Sequence, residues 1–485
     1  MERLYIQAMK IIIFAAILFG LTGGTYAAGF DDLAVTAASL KDSAAAQPLS
    51  ITPDISVDVS NPDQNFTTSR WYGSDSRQAR MRFATYLLYE IPTRYNGPVS
   101  QIFSDPDQKQ KVFSLIDLQL RHMYGAFTTH PGFADTPGIP SGDYKVALLS
   151  AEKVPNEPYI RIHYSYDDIV VFSKNLFRGS GATRIQFLLP KDPVTIYKKG
   201  FPTPGSSKNR CTDEHYNSED DFWYFWNPYQ EGCPITNDDL VVVNTDLTPI
   251  QVTHNTYPEY ARLYGENGNG DILQVTYLVG VDENFRNGDL GKQTFKDAFA
   301  GLKGAGFQVT VNEPRRKRLS FRFGAKRASV EMRLVNPGSA EFSQEAVKGM
   351  KTADIFLYDG HSGLGNYLNP DRLAEDTGGP LALPKDKYQI FIFQGCSTYA
   401  YYNSAFFKLK RSGSDPKGTK NLDIITTGIG AAFEVGAKVD VALLTSVTMA
   451  QKPSWQTILD RVRAAEGSDS SLSHVNGDED NPDHP

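Results

Sequence analysis

Apolar residues follow two different patterns, one in each half of the chain. Between residues 76 and 250, short apolar runs alternate with turn residues, as in YKVALLSAEKVPNEPYIRIHYSYDDIVVF over 144–172, and this pattern predicts β-strands. Apolar residues at helical spacing over 80–89 and 109–123 predict two helices. We therefore expect an N-terminal α+β domain over 76–250 with a mainly antiparallel sheet.

The pattern changes from about residue 251, where buried-type strands alternate with helical segments. Strand-like runs are found in ILQVTYLVGV, IFLYDG, YQIFIFQGC and NLDIITTGIGAAF, and residues at helical spacing lie between them. This alternation predicts an α/β fold with a doubly wound, mostly parallel sheet that is covered on both faces. We expect this C-terminal domain to cover 251–465, with its functional groups beyond the carboxyl ends of the strands.

The first 27 residues have the pattern of an export signal. Lys10 precedes an eleven-residue apolar run, and small residues then lead to Thr25 and Ala27, which suit signal peptidase. The run is short against the ~20 residues that span a bilayer, although a single membrane anchor is the alternative interpretation. We expect a signal peptide over 1–27 and an exported, periplasmic or extracellular protein with no membrane contact after cleavage.

Composition indicates a folded protein and argues against a nucleic-acid partner. Of the 485 residues, 40% are hydrophobic and 12% aromatic, which is typical of globular proteins. The net charge of −7 offers no basic surface for nucleic acid. Two polar segments differ from the rest: 28–75 predicts a poorly ordered leader, and the acidic segment 466–485 predicts a disordered tail.

Three cysteines are present, an odd number for an exported protein. Cys211 and Cys233 flank a polar, aromatic segment, and pairing them would close a loop of about 20 residues, worth about 3 kcal/mol on the chain-entropy model. That pairing leaves Cys396 as a free thiol. A free thiol in an oxidising compartment is explained either by burial or by chemistry.

A serine in the stretch IFLYDGHSGLG is the first candidate nucleophile. GHSGL is similar to the G-x-S-x-G elbow of serine hydrolases, but Leu364 replaces the second glycine and Pro370 interrupts the helix that should follow. The only histidines downstream are His474 and His484, both in the predicted tail. A serine hydrolase that uses Ser362 is therefore the lesser alternative.

A histidine and a cysteine that each follow an apolar strand form a better candidate site. His361 ends one predicted strand and Cys396 ends the next, and neighbouring strands lie about 4.8 Å apart. A cysteine nucleophile needs a nearby imidazole and backbone donors for the developing oxyanion. Gly360, Gly363 and Gly395 would let backbone N–H groups approach a substrate carbonyl closely.

These motifs resemble those of the caspase-like cysteine peptidases of clan CD, which include caspases, gingipains and legumain. QGCS at 394–397 is similar to the caspase Q-A-C signature, and DGHSG at 359–363 stands where H-G or G-H-G is usual. The resemblance covers roughly 270–450. Ser362 in place of a glycine and Ser397-Thr398 after the cysteine differ from the family pattern.

The resemblance implies a caspase-like fold and a role for each matched residue. Cys396 would be the nucleophile, His361 the general acid/base, and the N–H group of Gly363 or Cys396 an oxyanion donor beside Gly395. Gln394 matches a caspase position that lines the substrate pocket. The implied function is that of a cysteine endopeptidase with protein or peptide substrates, and the alternative is an inactive caspase-like binding or surface module.

Three further hypotheses concern a basic loop, two acidic residues and a calcium candidate. The basic loop 408–423 is a candidate site of self-processing, with an ordinary surface loop as the alternative. Asp423 and Glu434 are candidates for an acidic specificity pocket. The sequence contains no metal-site spacing and implies no cofactor; the one calcium candidate, 282–289, lacks EF-hand spacing.

Overall fold

The computed structural model describes most of the chain from Gly73 onwards. The predicted signal peptide and almost all of the predicted leader lie outside the described residues. None of the described helices is long and apolar enough to cross a membrane. The described residues are 73–92, 95, 97–133, 136–177, 181–200, 211–212, 221–250, 256–266, 272–448 and 451–478.

The described part of the chain is a mixed α/β structure, with about 36% helix and 31% strand, and it contains two sheets. The first sheet is antiparallel, in the order β2-β4-β1-β6-β5, and β3 pairs with β4 off this path. Its strands are β1 (Ser76–Glu90), β2 (Gly138–Pro140), β3 (Lys145–Lys153), β4 (Tyr159–Ser173), β5 (Thr183–Pro190) and β6 (Leu240–Pro249). The described α-helices of this half are α1 (Pro106–Arg121), α2 (Met123–Thr129), α3 (Thr195–Gly200) and α4 (Phe222–Phe225).

The segment 80–89, predicted as a helix, is part of strand β1, so that prediction is wrong. Buried residues alternate along it, with Ala79, Met81, Phe83 and Leu87 facing the core. This period of two matches the pleat of a strand, and the full-length antiparallel pairing with β4 overrides the helical spacing of the apolar residues.

The second prediction of a helix, over 109–123, is confirmed by α1. Asp105 caps this helix by accepting hydrogen bonds from two backbone N–H groups of the first turn, and Pro106 occupies the first position, where its missing N–H is harmless. Val112, Ile116 and Leu120 lie on one side of the helix and pack onto the first sheet. The helix therefore closes the core of this half.

The second sheet has eight strands in the order β14-β13-β12-β11-β7-β10-β9-β8. The five central strands, from β13 to β10, are mutually parallel, and the outer strands β14, β9 and β8 pair antiparallel. The predicted parallel sheet is thus present within a mixed one. Its strands are β7 (Ile272–Gly280), β8 (Gln308–Glu313), β9 (Arg316–Phe323), β10 (Lys326–Val335), β11 (Ile355–Asp359), β12 (Gln389–Gln394), β13 (Leu422–Thr426) and β14 (His474–Asn476).

Helices cover both faces of this sheet. Leu357 and Ile392 belong to a core that includes α5, α9 and α10, whereas their chain neighbours Phe356 and Phe393 belong to a core with α6 and α8. Strands buried on both faces explain the uninterrupted apolar runs of the sequence. The helices are α5 (Leu290–Gly304), α6 (Ala340–Thr352), α7 (Pro370–Thr377), α8 (Thr398–Lys410), α9 (Phe433–Thr448) and α10 (Trp455–Glu466).

The prediction of a disordered tail from residue 466 is wrong for its first part. Strand β14 pairs with β13, and His474 is buried, with its ring nitrogen Nδ1 2.9 Å from the hydroxyl of Ser76. The carboxylate of Glu466 is buried and accepts hydrogen bonds from two serine hydroxyls of the same segment and from Ser74. Polar residues here satisfy one another instead of facing water, which composition alone does not reveal.

Helix α8 is one of the elements on which the two halves of the chain meet. The ring of Tyr124 in α2 stacks on Tyr401 in α8 at 6.2 Å, and Gln78 of β1 donates a hydrogen bond to the hydroxyl of Tyr399. Gly142 approaches α8 so closely that a Cβ there would lie 2.5 Å from the carbonyl of Ala400. The N-terminal half therefore packs against the helix that follows Cys396.

Candidate active site

His361 and Cys396 lie at the same edge of the second sheet, beyond the ends of two adjacent parallel strands. The last paired residues of β11 and β12 are Asp359 and Gln394. The histidine and the cysteine each stand two positions further along (361 − 359 = 396 − 394 = 2). The N–H of Gly360 donates to the carbonyl of Gln394, so the two chains stay together beyond the strands.

Glycines shape the two turns. Gly363 has a φ of 58° and Gly365 a φ of 86°, in the left-handed region that glycine adopts at little cost. Leu364 between them also has a positive φ of 52° and is 40% exposed, an apolar side chain at the rim of the site. A Cβ on Gly395 would lie 2.6 Å from the carbonyl oxygen of Gly360, so only glycine permits this close approach.

Asp282, which the sequence suggested only as part of a calcium candidate, binds the histidine. Its Oδ1 lies 2.7 Å from Nε2 of His361. The aspartate follows strand β7, the neighbour of β11 on the side away from Cys396. An acidic residue just beyond a third neighbouring strand is the signal that could have identified it.

The loop that carries Asp282 is fixed by a second carboxylate. Asp289 accepts hydrogen bonds from the backbone N–H groups of Asp282, Glu283 and Asn284, and it also caps helix α5 through the N–H of Lys292. Its oxygens therefore organise the loop. Among the described residues there is no group of three or more side chains that could hold a metal ion.

The surroundings of His361 determine which ring nitrogen can act as a base. Its side chain is largely buried, and its ring meets Phe433 of α9 edge-on, with ring centroids 5.3 Å apart. Because a carboxylate can only accept hydrogen bonds, Asp282 favours the tautomer of His361 that carries its proton on Nε2. In the neutral ring Nδ1 then carries the lone pair that can accept a proton.

Cys396 is a free cysteine and is partly buried. Burial raises the pKa of the thiol above its ordinary value, and a hydrogen bond from the backbone of Ala431 acts in the opposite direction with smaller effect. A base is therefore needed to remove the thiol proton before Cys396 can attack.

Two backbone N–H groups of the site remain available to an oxyanion. Among the residues that the structure describes, the N–H groups of Gly363 and Cys396 donate to no acceptor. Donors of this kind at the end of a strand can stabilise negative charge on a substrate oxygen.

Ser362 and Gln394 are both buried. The carbonyl of Ser362 accepts hydrogen bonds from Gly365, Tyr367 and the hydroxyl of Tyr402, so the residue anchors the turn. Helix α7 begins only at Pro370, so Ser362 does not stand on a strand-to-helix elbow. Nε2 of Gln394 finds no acceptor among the described residues, and its role in a substrate pocket stays a prediction.

A pair of buried carboxyl groups lies beneath the histidine. Asp359 and Asp440 of α9 are close enough for the two carboxyl groups to interact, and Tyr277 donates a hydrogen bond to Asp440. Burial raises the pKa of Asp359 to about 6, and burial together with the neighbouring carboxylate raises that of Asp440 well above its ordinary value. The pair therefore takes up a proton more readily than exposed aspartates do.

The predicted disulfide is confirmed, and one of the two candidates for an acidic pocket lies away from the site. Cys211 and Cys233 are bonded, with Cα atoms 4.7 Å apart. Asp423 lies near the start of β13, where Tyr388 donates to it, so it is at the opposite end of the strands from the site. Glu434 is exposed in the first turn of α9, next to the phenylalanine that contacts His361, and its role in a pocket stays a prediction.

The predicted processing loop is folded in its central part. Asp415 is buried and accepts backbone hydrogen bonds from Gly418 and Lys420. The same loop lines a cleft of about 680 Å³ at the end of the sheet opposite to His361 and Cys396. The residues that line this cleft are Glu259, Arg262, Asp386, Ser414, Asp415, Pro416, Lys417, Lys420 and Asn421.

Comparison with known proteins gives no assignment for this chain. No protein-family model matches its sequence. No curated protein matches it either.

Proposed function

We propose that the protein is an exported cysteine endopeptidase of caspase-like type. The observation that carries this proposal is the arrangement at one sheet edge: an imidazole held by Asp282, at the end of the strand next to the one that precedes the free thiol of Cys396. A nucleophile, a base and a group that orients the base are the minimum set for acyl transfer by a thiol.

The proposed reaction begins with proton transfer from Cys396 to Nδ1 of His361. The sulfur attacks the substrate carbonyl carbon, and the N–H groups of Gly363 and Cys396 bind the resulting oxyanion. The imidazolium then gives its proton to the leaving amine as the C–N bond breaks, which leaves an acyl-enzyme. His361 next removes a proton from water, and the hydroxide attacks the acyl carbon. The C–S bond then breaks to release the acid, and the imidazolium returns its proton to the sulfur.

Asp282 supports both proton transfers by orienting the imidazole ring. Its carboxylate holds the proton of the neutral ring on Nε2 and stabilises the imidazolium that forms during attack. Because the loop is fixed by Asp289, this carboxylate is in place before substrate binds. Pre-organisation of this kind lowers the barrier without reorganisation during the reaction.

The confirmed disulfide is consistent with an exported protein, because such bonds persist in oxidising compartments. Protein or peptide substrates are the proposed class, since the reaction needs a carbonyl with an amine leaving group.

Labelling of the thiol tests this proposal. In the native full chain, iodoacetamide should label Cys396 stoichiometrically, and His361→Ala should slow the labelling, because the imidazole assists deprotonation. A peptide library should be cleaved by the wild type and by neither Cys396→Ala nor His361→Ala. If labelling is the same with and without the histidine and no peptide is cleaved, the protein is not a peptidase.

An inactive caspase-like binding module is the second candidate, favoured by one observation. Burial raises the pKa of the Cys396 thiol, as it does for inert structural cysteines. The labelling experiment separates the two candidates. Cleavage that survives Cys396→Ala but not Ser362→Ala would instead indicate a serine hydrolase.

A further inference from the structure

The residue after the candidate nucleophile has an unusual backbone conformation. Ser397 has a φ of 56° and a ψ of 30°, in the left-handed region, and it is the residue that precedes helix α8. This conformation is unfavourable for an L-residue with a Cβ. Its side chain makes no capping hydrogen bond to the helix, so capping does not offset the cost.

The hydroxyl of Ser397 is engaged by the N-terminal half of the chain instead. Its Oγ lies 2.8 Å from the hydroxyl of Tyr224 in α4, and Ser397 is itself buried. Burial raises the pKa of the Tyr224 hydroxyl well above its ordinary value, and a negative charge on Cys396 acts in the same direction. The phenol therefore lies within electrostatic reach of the candidate nucleophile.

Helix α4 is held firmly enough to position this hydroxyl. The ring of Trp223 meets Tyr124 of α2 edge-on, with centroids 5.1 Å apart. The chain directly after the helix is tied to the disulfide, because the N–H of Asn227 donates to the carbonyl of Cys211. These contacts hold the phenol of Tyr224 in place, and all of them come from the N-terminal half of the chain.

We propose that Tyr224 is a positioning residue for Cys396. Its hydroxyl holds Ser397 in the left-handed conformation, and this conformation fixes the direction in which the preceding residue presents its thiol. The proposal rests on the proposed function, since it takes Cys396 as the nucleophile. On this proposal the N-terminal half of the chain contributes a residue that orients the nucleophile.

Substitution at both ends of the hydrogen bond tests the proposal. In the full chain with its disulfide intact, Tyr224→Phe removes only the hydroxyl and should slow iodoacetamide labelling of Cys396 about fivefold, the rate equivalent of one hydrogen bond. Ser397→Ala should produce the same decrease from the other side. Tyr89→Phe, which removes a buried hydroxyl that donates to Gln108, is the matched control and should leave labelling unchanged.

A second substitution distinguishes positioning from packing. Glycine adopts a φ of 56° at little cost, so Ser397→Gly should restore the labelling rate in the Tyr224→Phe background to within about twofold of wild type. A rate that Tyr224→Phe leaves unchanged, or a loss that Ser397→Gly does not restore, overturns the proposal.

Failure of the proposed function has a different signature. In that case His361→Ala would not alter the labelling of Cys396 in the wild-type background. The response of the thiol to Tyr224→Phe can still be measured, because labelling needs no peptide substrate.

Discussion

The hydrogen bond between Asp282 and His361 gives the sharpest prediction. Asp282→Asn keeps the size of the side chain but replaces an acceptor with an amide that can also donate. The contact is 2.7 Å long and both side chains are largely buried, so it is a charge-assisted hydrogen bond worth about 1.5–3 kcal/mol, or about 10- to 150-fold in rate.

A second effect adds to the loss. An amide that donates to Nε2 of His361 shifts the ring proton to Nδ1, the nitrogen that must accept the thiol proton, and a wrong tautomer of this kind is worth up to about 10⁴-fold. We therefore expect kcat on a cleaved peptide to fall by at least about 100-fold, with a smaller change in KM.

The assay is steady-state cleavage of a fluorogenic peptide chosen from the library profile, with circular dichroism to verify folding. Asp297→Asn is the control, because this aspartate is exposed on α5 and its carboxylate interacts with Gln293 within the same helix. If a folded Asp282→Asn variant keeps kcat within a factor of three of wild type, the orienting role of Asp282 is refuted.

Three further predictions concern the turns, the carboxyl pair and the thiol. Gly395→Ala should abolish activity and lower the melting temperature, because its Cβ would lie 2.6 Å from a backbone carbonyl oxygen of the histidine turn. Gly413→Ala is the control and should do neither, because no atom lies within 4 Å of its Cβ position. Because the pKa values of Asp359 and Asp440 are raised, the folded state binds more protons than the unfolded state above about pH 4, and this pair makes stability fall as pH rises towards and beyond 6. Asp440→Asn should flatten that decline in melting temperature, and an unchanged slope would contradict the raised pKa values. Because burial raises the pKa of the Cys396 thiol, its alkylation rate in the folded protein should reach half its maximum at a higher pH than in the urea-unfolded protein. A lower midpoint pH in the folded protein would show that the resting thiol is ionised instead.

Local pattern was sufficient for several parts of the fold. The apolar runs that become β7, β11, β12 and β13 are continuous because helices cover both faces of their sheet, and α1 has a capping residue and a periodic apolar stripe. The disulfide followed from the count and spacing of cysteines. Strand β1 shows the limit of such arguments, because its apolar residues satisfy two periods at once and only its long pairing with β4 decides between them.

By itself the sequence determined that His361 and Cys396 each follow a buried strand, because that depends on residues adjacent in the chain. Tertiary structure alone decided their partners. Asp282 is 79 positions from the histidine that it binds, and Tyr224 is 173 positions from Ser397. The order of strands in the sheet brings the first pair together, and the packing of the N-terminal half on α8 brings the second. Contacts of this kind leave no periodicity in the sequence, so the groups that orient the candidate site become visible only when the chain is folded.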